Sequence, residues 1–359
     1  MSGWRALRGR RPLSLAAALL ISGALLAAPS KGQTQAPPPL TAAQAWPHAV
    51  RSTLPAALAD GTAYEPVLFL DAQTSVGTAP SRDGKSVRLV LRRSDGTVRQ
   101  LRSVAAKLGP SFSTAAVAGN LLVWVAGTTR SQELWSVDLR TGAAPRRLTA
   151  DLGDARFYQS QDDLVIADGR VHWVAAGPGD FTELRSVALA GGPVEVRDQP
   201  GTWALSAWPW ILDGVTAAGG TTQLLNLVTG QTLTAPSSSR GVTACSPAWC
   251  RLVSLTKNGD SRIEVMHPDG SARRTAAEGT AATVIADPVV LDRFEVLSQQ
   301  TGTSDLTGDI QLLAYDVRTR TLIEVSPDAF AVSYRAGILW WSTGTQDSYV
   351  RHALDLRTA

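Results

Sequence analysis

Glu133-Leu-Trp-Ser-Val-Asp-Leu-Arg-Thr-Gly142 is the stretch that decides the fold. Its side chains alternate between apolar and polar, the two-residue period of a β-strand, and it ends in a turn where Gly can take a positive φ. Just upstream, Leu121-Leu-Val-Trp-Val-Ala126 reads as a second strand of the same hairpin. The same pair returns along the chain. Third-strand copies are Val87-Arg-Leu-Val-Leu-Arg-Arg-Ser-Asp-Gly96, Glu183-Leu-Arg-Ser-Val-Ala-Leu-Ala-Gly-Gly192 and Gln223-Leu-Leu-Asn-Leu-Val-Thr-Gly230. Three more are Arg262-Ile-Glu-Val-Met-His-Pro-Asp-Gly270, Gln311-Leu-Leu-Ala-Tyr-Asp-Val-Arg-Thr-Arg320 and Tyr349-Val-Arg-His-Ala-Leu-Asp-Leu-Arg-Thr358. Trp recurs in the strand before the turn, in Arg170-Val-His-Trp-Val-Ala175 and Gly337-Ile-Leu-Trp-Trp-Ser342. Because it recurs once per unit rather than clustering, packing between units explains it better than an aromatic ligand platform.

Adjacent copies start about 38 to 50 residues apart, the period of propeller blades. The expected fold is therefore all-β: a β-propeller of four-stranded antiparallel blades, with seven blades favoured and six possible. The final copy reaches its third strand and then the chain ends, which would leave a bare edge. The segment Ala49–Leu54 precedes the first unit and is the expected donor of the missing strand, closing the ring from the N-terminal side. Helical periodicity is confined to Ala42–Ala45, ahead of Trp46-Pro47.

Two copies carry a recognisable wording. Glu133-Leu-Trp-Ser-Val-Asp-Leu-Arg-Thr-Gly-Ala-Ala-Pro-Arg-Arg-Leu-Thr149 resembles the propeller repeat of TolB-like proteins, and Arg262-Ile-Glu-Val-Met-His-Pro-Asp-Gly-Ser-Ala-Arg-Arg-Thr275 is similar. Asp60-Gly-Thr-Ala-Tyr64, Ser75-Val-Gly-Thr-Ala-Pro80 and Cys245-Ser-Pro-Ala-Trp-Cys250 also resemble exported actinobacterial TolB-like proteins. At the level of the repeat the resemblance covers roughly residues 64–358. It implies protein–protein interaction in the cell envelope and carries over no functional residues, because its motifs specify turns and packing. TolB-like propellers mostly have six blades, whereas seven third strands are counted here.

The net charge is +3, but Arg5, Arg8, Arg10, Arg11 and Lys31 stand in the first 31 residues without an acid among them. Taking those five away leaves the remainder near −2, so the basic footprint expected of a nucleic-acid binder is missing. Four arginines followed by the apolar run Leu13–Ala28 read as an export signal. Sixteen helical residues rise about 24 Å, short of a ~30 Å hydrocarbon core. Residues 1–30 are thus expected to be a cleaved signal peptide or an uncleaved N-terminal membrane anchor. A Pro-rich linker follows over 31–45, and the propeller domain over 46–359. The expected location is extracellular, or the outer face of the cytoplasmic membrane, with membrane contact only through the N-terminal segment.

An oxidising compartment gives Cys245 and Cys250, the only two cysteines, a default reading as a disulfide across a tight turn. The alternative is a pair of buried thiols.

No linear motif for catalysis stands out. There is no Gly-x-Ser-x-Gly elbow, and His48, His172, His267 and His352 are scattered, with packing or exposure accounting for each. Asp151, Asp154, Asp162, Asp163 and Asp168 form an acidic cluster without the order a calcium loop needs, and solvated loop charge is the reading preferred for them. Asp138-Leu-Arg-Thr-Gly142 resembles the turn of propellers that hold pyrroloquinoline quinone, but it occurs intact once and lacks the Trp that follows it there. No catalytic, cofactor or metal residues are assigned, and no cofactor is expected. The expected function is a non-catalytic exported propeller, monomeric, that binds an envelope protein, peptide or cell-wall glycan. The alternative is an exported hydrolase or lyase with residues from several blades meeting over the channel.

Overall fold

In the computed structural model, residues 39–302, 304, 308–345 and 348–359 are described. The expected signal or anchor segment, and the linker up to residue 38, lie outside them. Leu40–Ala359 form one compact unit.

Consecutive hairpins build six sheets. The first contains Glu65–Phe69, Ser75–Pro80, Ser86–Arg92 and Val98–Ala105 in chain order. The second contains Ala115–Ala118, Leu121–Gly127, Gln132–Asp138 and Arg146–Thr149. In the third, Asp154–Ala155 and Val165–Ala167 share one partner, Arg170–Ala176, which leads to Phe181–Ala188 and Glu195–Pro200. The fourth runs from Trp203–Leu205 to Thr232–Thr234 and the fifth from Gly241–Cys245 to Arg274–Gly279, each again four strands in chain order. Every third-strand copy read from the sequence is a strand, from Ser86–Arg92 to Ser348–Asp355.

The sixth sheet has eight strands, because one long strand, Thr321–Arg335, serves two neighbours. Through residues 321–329 it pairs with Ile310–Asp316, and through 330–335 with Ile338–Thr345. The register slips between Phe330 and Ser333, where Ala331 takes a φ of 51°. A left-handed residue inside a ladder makes a bulge that bends the strand and lets the two halves face different ways. Beyond it, Ser348–Asp355 pairs antiparallel with Arg51–Pro55, from Arg51 opposite Leu354 to Pro55 opposite Val350.

Alternation explains the packing. Along Leu121–Gly127, Leu122, Trp124 and Ala126 face the core shared with Leu68, Leu89 and Leu91 of the first sheet. Val123 and Val125 face the opposite core, with Trp173 and Val187 of the third. Both rows are buried, as they must be in a sheet sandwiched between two others. Later sheets repeat the scheme through Val174 and Ile211, then Leu224 and Leu252, then Val265 and Leu297. The two halves of the long sheet share Phe294, Val296, Leu339 and Trp341. Its last half then packs on the first sheet through Leu54, Phe69, Ile338, Trp340 and Ala353. Trp124 and Trp173 are essentially fully buried, so these rings are packing elements, as their recurrence suggested.

The compact unit begins at Leu40, inside the stretch 31–45 expected to be linker. Leu40–Thr41 pairs parallel with Ile323 and Glu324, and Ala42–Ala45 forms a single helical turn. Thr41 and Gln44 cap it reciprocally: Gln44 N–H donates to Thr41 Oγ1 at 3.3 Å, and Thr41 N–H to Gln44 Oε1 at 2.9 Å. Pro47 stops the helix, and Trp46 is buried with its ring edge-on to Phe294, 5.1 Å between centroids. Burial of Ala42 and Trp46 is what moves the boundary.

Candidate functional site

Loops and strand ends of the third to sixth sheets enclose a cavity of about 590 Å³. Its wall draws on residues 158–163, 204–207, 214–221, 242–248 and 286–292, with Tyr334 and Gly337. A second opening of about 680 Å³, which includes Glu65, Phe112, Phe157 and Arg335, shares Asp163, Ala286, Asp287 and Tyr334 with it. The two spaces therefore meet at a floor made largely of carboxylates.

That floor is built by a short capped turn. Ser160 Oγ accepts the Asp162 amide at 3.1 Å and starts the 3-10 turn Gln161–Asp163. Asp287, 126 residues away along the chain, fastens the same turn: its carboxylate accepts from Ser160 Oγ at 2.5 Å and from the Gln161 amide at 3.1 Å. Asp163 accepts the Tyr158 amide at 2.8 Å. Asp162 lines the cavity, and its carboxylate has no hydrogen bond or ion pair among the described residues.

Behind Asp287, Arg251 and Glu295 form a buried pair at 2.9 Å. Arg251 also donates to the carbonyls of Ile285, Ala286 and Asp287, while Glu295 accepts the Val289 amide at 2.9 Å. The pair thus pins the loop that presents Asp287. Arg335 is buried beside the carboxylates and donates to the Ala115 carbonyl at 2.8 Å.

Electrostatics follow from burial. Desolvation, with the charges of Asp287 and Asp163 added, pushes the Asp162 carboxyl up to about 7. Desolvation raises Asp163 to about 6, against the opposing Tyr158 amide and the Arg335 charge. Asp287 is raised as well, because burial outweighs its hydrogen bonds from Ser160 and Gln161. Burial also raises the Tyr334 phenol and lowers Arg335 from its ordinary value.

The mouth is apolar. Val215, Val242 and Leu291 line it and remain 40%, 49% and 39% exposed. One wall depends on glycine: Gly220 has a φ of 77°, and a Cβ there would fall 1.9 Å from the Thr243 carbonyl oxygen. The wall beyond it is the Cys245–Cys250 disulfide loop, in which Cys245, Ser246, Pro247 and Ala248 face the cavity. Intact protein without reductant is expected to weigh two hydrogens less than the dithiol form. Reduction is expected to cost about 2 kcal/mol or less for so short a loop. Two free thiols by mass spectrometry of the unreduced protein would overturn the bridge.

The acidic cluster seen in the sequence divides. Asp151 pairs with Arg185 at 2.9 Å and Asp154 with Arg156 at 2.5 Å, both on the surface, and Asp168 accepts Trp208 Nε1 at 3.0 Å. Asp162 and Asp163 are not solvated loop charge as expected but floor the cavity. The signal was available: these two acids directly precede the apolar run Leu164–Ala167, whose Leu164 is buried and whose last three residues form a strand. Asp287, Arg251 and Glu295 carried no sequence signal, because what unites them is the meeting of distant loops.

None of the histidines lines either space. His172 packs against Trp208 with ring centroids 3.8 Å apart and planes tilted by 31°, and His267 against Trp249 at 4.2 Å and 39°, with Nδ1 2.9 Å from the Ala248 carbonyl. His352 Nε2 lies 2.8 Å from Thr343 Oγ1, and His48 is exposed. Among the described residues no three His, Cys, Asp or Glu side chains are arranged to hold a metal ion. Nor is any helix of the described residues long and apolar enough to cross a membrane.

Sheets of four antiparallel strands, repeated and packed face to face, define the chain as an all-β protein of propeller type. No family model matches it, and no curated protein matches it in sequence. Among solved structures it is similar to an uncharacterized protein from Listeria monocytogenes EGD-e, with 9% identity and a TM-score of 0.51 over 77% of this chain and 88% of that one. A puromycin-hydrolyzing peptidase from Mycobacterium tuberculosis aligns with 16% identity and a TM-score of 0.50, over 88% of this chain and 53% of the peptidase. TolB from Acinetobacter baumannii aligns with 11% identity and a TM-score of 0.41, over 70% of this chain and 64% of TolB. The chain thus spans about half of the peptidase and less than two thirds of TolB. The likeness is one of fold.

Proposed function

We propose that this chain is an exported, non-catalytic β-propeller, monomeric, that binds an envelope protein, peptide or cell-wall glycan in the cavity over its acidic floor. We further read the architecture as a ring of seven blades, the long sheet counting as two, closed by the N-terminal strand Arg51–Pro55. The observation that carries the binding reading is the mouth: three large apolar side chains, Val215 and Leu291 from two loops and Val242 from a strand, stay exposed around a cavity of ligand size. Exposed apolar side chains gathered at an opening mark a contact surface more often than chance scatter does.

A second reading, an exported hydrolase or lyase, is favoured by one observation. Asp162 and Asp163 are carboxyls raised toward neutrality, as general acids and bases are. Peptide hydrolysis is an activity of the Mycobacterium tuberculosis neighbour, of which this chain spans about half, so it reaches this chain only as a hypothesis.

The two readings part experimentally. Envelope material is cross-linked to the full chain and to a variant carrying Val215→Asp and Val242→Asp. A specific ligand held by the wild type and lost by the charged mouth is the expected result. A ligand retained by that variant would move binding elsewhere. Turnover of envelope peptide or glycan by the wild type, abolished when Asp162 and Asp163 both become Asn, would install the hydrolase instead.

A further inference from the structure

We propose that the occupant of this cavity is a peptide segment that inserts a lysine or arginine side chain toward Asp162, Asp163 and Asp287 and lays apolar neighbours on the mouth. The inference rests on the binding reading above and names the chemistry of its ligand.

Charge at the floor is out of balance. Asp162, Asp163, Asp287 and Glu295 supply four carboxylates, and Arg251 and Arg335 two guanidinium groups. Glu295 occupies Arg251. That leaves three carboxylates facing Arg335, which makes no ion pair within 4.0 Å to any of them. Full ionisation would leave two negative charges uncompensated at a largely buried floor, and buried charge is costly unless paired. Protons held on these acids, whose carboxyls burial raises, relieve this imbalance. A cation entering from solvent relieves it equally well.

A second observation points the same way. Tyr334 lines the cavity at only 6% exposure, and its hydroxyl oxygen has no hydrogen-bond partner of normal geometry. A buried hydroxyl left unpaired costs free energy that a donor from a ligand removes. An ammonium brings three donors and no acceptor, and a guanidinium brings five. Either matches a floor that offers the free carboxylate of Asp162 and the buried hydroxyl of Tyr334. The depth of the cavity and the apolar ring of Val215, Val242 and Leu291 ask for more than a small amine. A basic side chain has a hydrocarbon stem that passes such a ring, and the residues beside it can cover the rim.

The groups that set the charge at Asp162 come from every surrounding loop. They are Asp163 on its own turn, Asp287 and Asp292 opposite, and Tyr158, Tyr334 and Arg335 beside it, with the Arg251–Glu295 pair behind Asp287. Binding of a cation must displace protons from this set, so it strengthens as pH rises.

The test is calorimetric titration of the full chain with blocked Leu-Lys-Leu, its norleucine and glutamate counterparts, and pentylamine. At about pH 8 the lysine peptide is expected to bind at least tenfold more tightly than the norleucine peptide. That preference should shrink about tenfold near pH 5 and by a similar factor in Asp162→Asn. The carboxylate of Asp162 holds nothing else in place, and if the variant misfolds the pH series on the wild type still decides. Equal binding of lysine and norleucine peptides, or preference for glutamate, overturns the cationic floor while leaving a binding cavity. Pentylamine binding as tightly as the peptide overturns the peptide. If no peptide binds but cross-linking to an envelope ligand still depends on the mouth, this inference falls and the binding reading stands. Cleavage of the lysine peptide would overturn both.

Discussion

Leu54→Ala is expected to lower stability by about 3 kcal/mol, the cost of a cavity at a fully buried leucine. Leu54 is 1% exposed and fills the space among Phe69, Ile338, Trp340 and Ala353. Its neighbour Thr53 is exposed and serves as the control: Thr53→Ala should change stability by less than about 0.5 kcal/mol. Deleting residues 46–56 should be far more severe. It removes Trp46 from its place against Phe294 and takes the pairing partner from the whole of Ser348–Asp355. Losing two large buried side chains alone approaches 6–10 kcal/mol, comparable to the entire stability of an ordinary domain. Thermal unfolding of the deletion variant is therefore expected to show a broad transition, or none. A melting temperature equal to that of the wild type would dismiss the structural role of this segment.

The second large effect is electrostatic and has a defined sign. An unfolded aspartate titrates near 3.8, whereas Asp162 in the folded protein holds its proton up to about 7 and Asp163 up to about 6. Between those values the folded state binds more protons than the unfolded one. Stability from these groups is thus complete below about pH 4 and is lost as pH rises through 6 and 7. Asp162→Asn cannot ionise, so it escapes that loss. Its stability relative to wild type should be close to zero near pH 4, climb through pH 5–7, and reach a plateau on the order of 3 kcal/mol above it. Denaturant unfolding at a series of pH values measures this directly. Thr53→Ala, at an exposed residue whose side chain does not titrate, should give a flat difference over the same range. A flat difference for Asp162→Asn as well would mean that its carboxylate is ionised and hydrated. The uncompensated charge at the floor would then disappear from the account.

Much of the fold was legible because it is written in local terms. A two-residue alternation located every third strand, four of the seven ending in Asp or Thr before Gly, and Trp once per unit located Trp124 and Trp173 in the cores between sheets. Ala42–Ala45 was readable for the same reason: the short apolar turn and the Pro47 that stops it are neighbours in sequence. What escaped reading depends on distance. The bend at Ala331 sits at a residue that gives no hint of a left-handed backbone, so Thr321–Arg335 could not be foreseen as one strand shared by two neighbours. The cavity floor joins a turn at residue 160 to a loop at 287 and a pair from residues 251 and 295, and no window of sequence contains them together. Charge misled as well. Five aspartates looked alike in sequence, yet two are drawn inside by the apolar run that follows them and three remain on the surface.

The pairing of Arg51–Pro55 with Ser348–Asp355 also has a bearing on time. Its two strands are separated by nearly the whole folded unit, Arg51 lying opposite Leu354. During synthesis at a few residues per second, the first strand exists for many seconds before its partner is made. The sheets between can assemble from local hairpins in that interval, but this ladder requires the longest loop closure in the molecule and comes last. Until then Arg51–Pro55 and the edge awaiting it are both unpaired, and an unpaired edge is where another chain can attach.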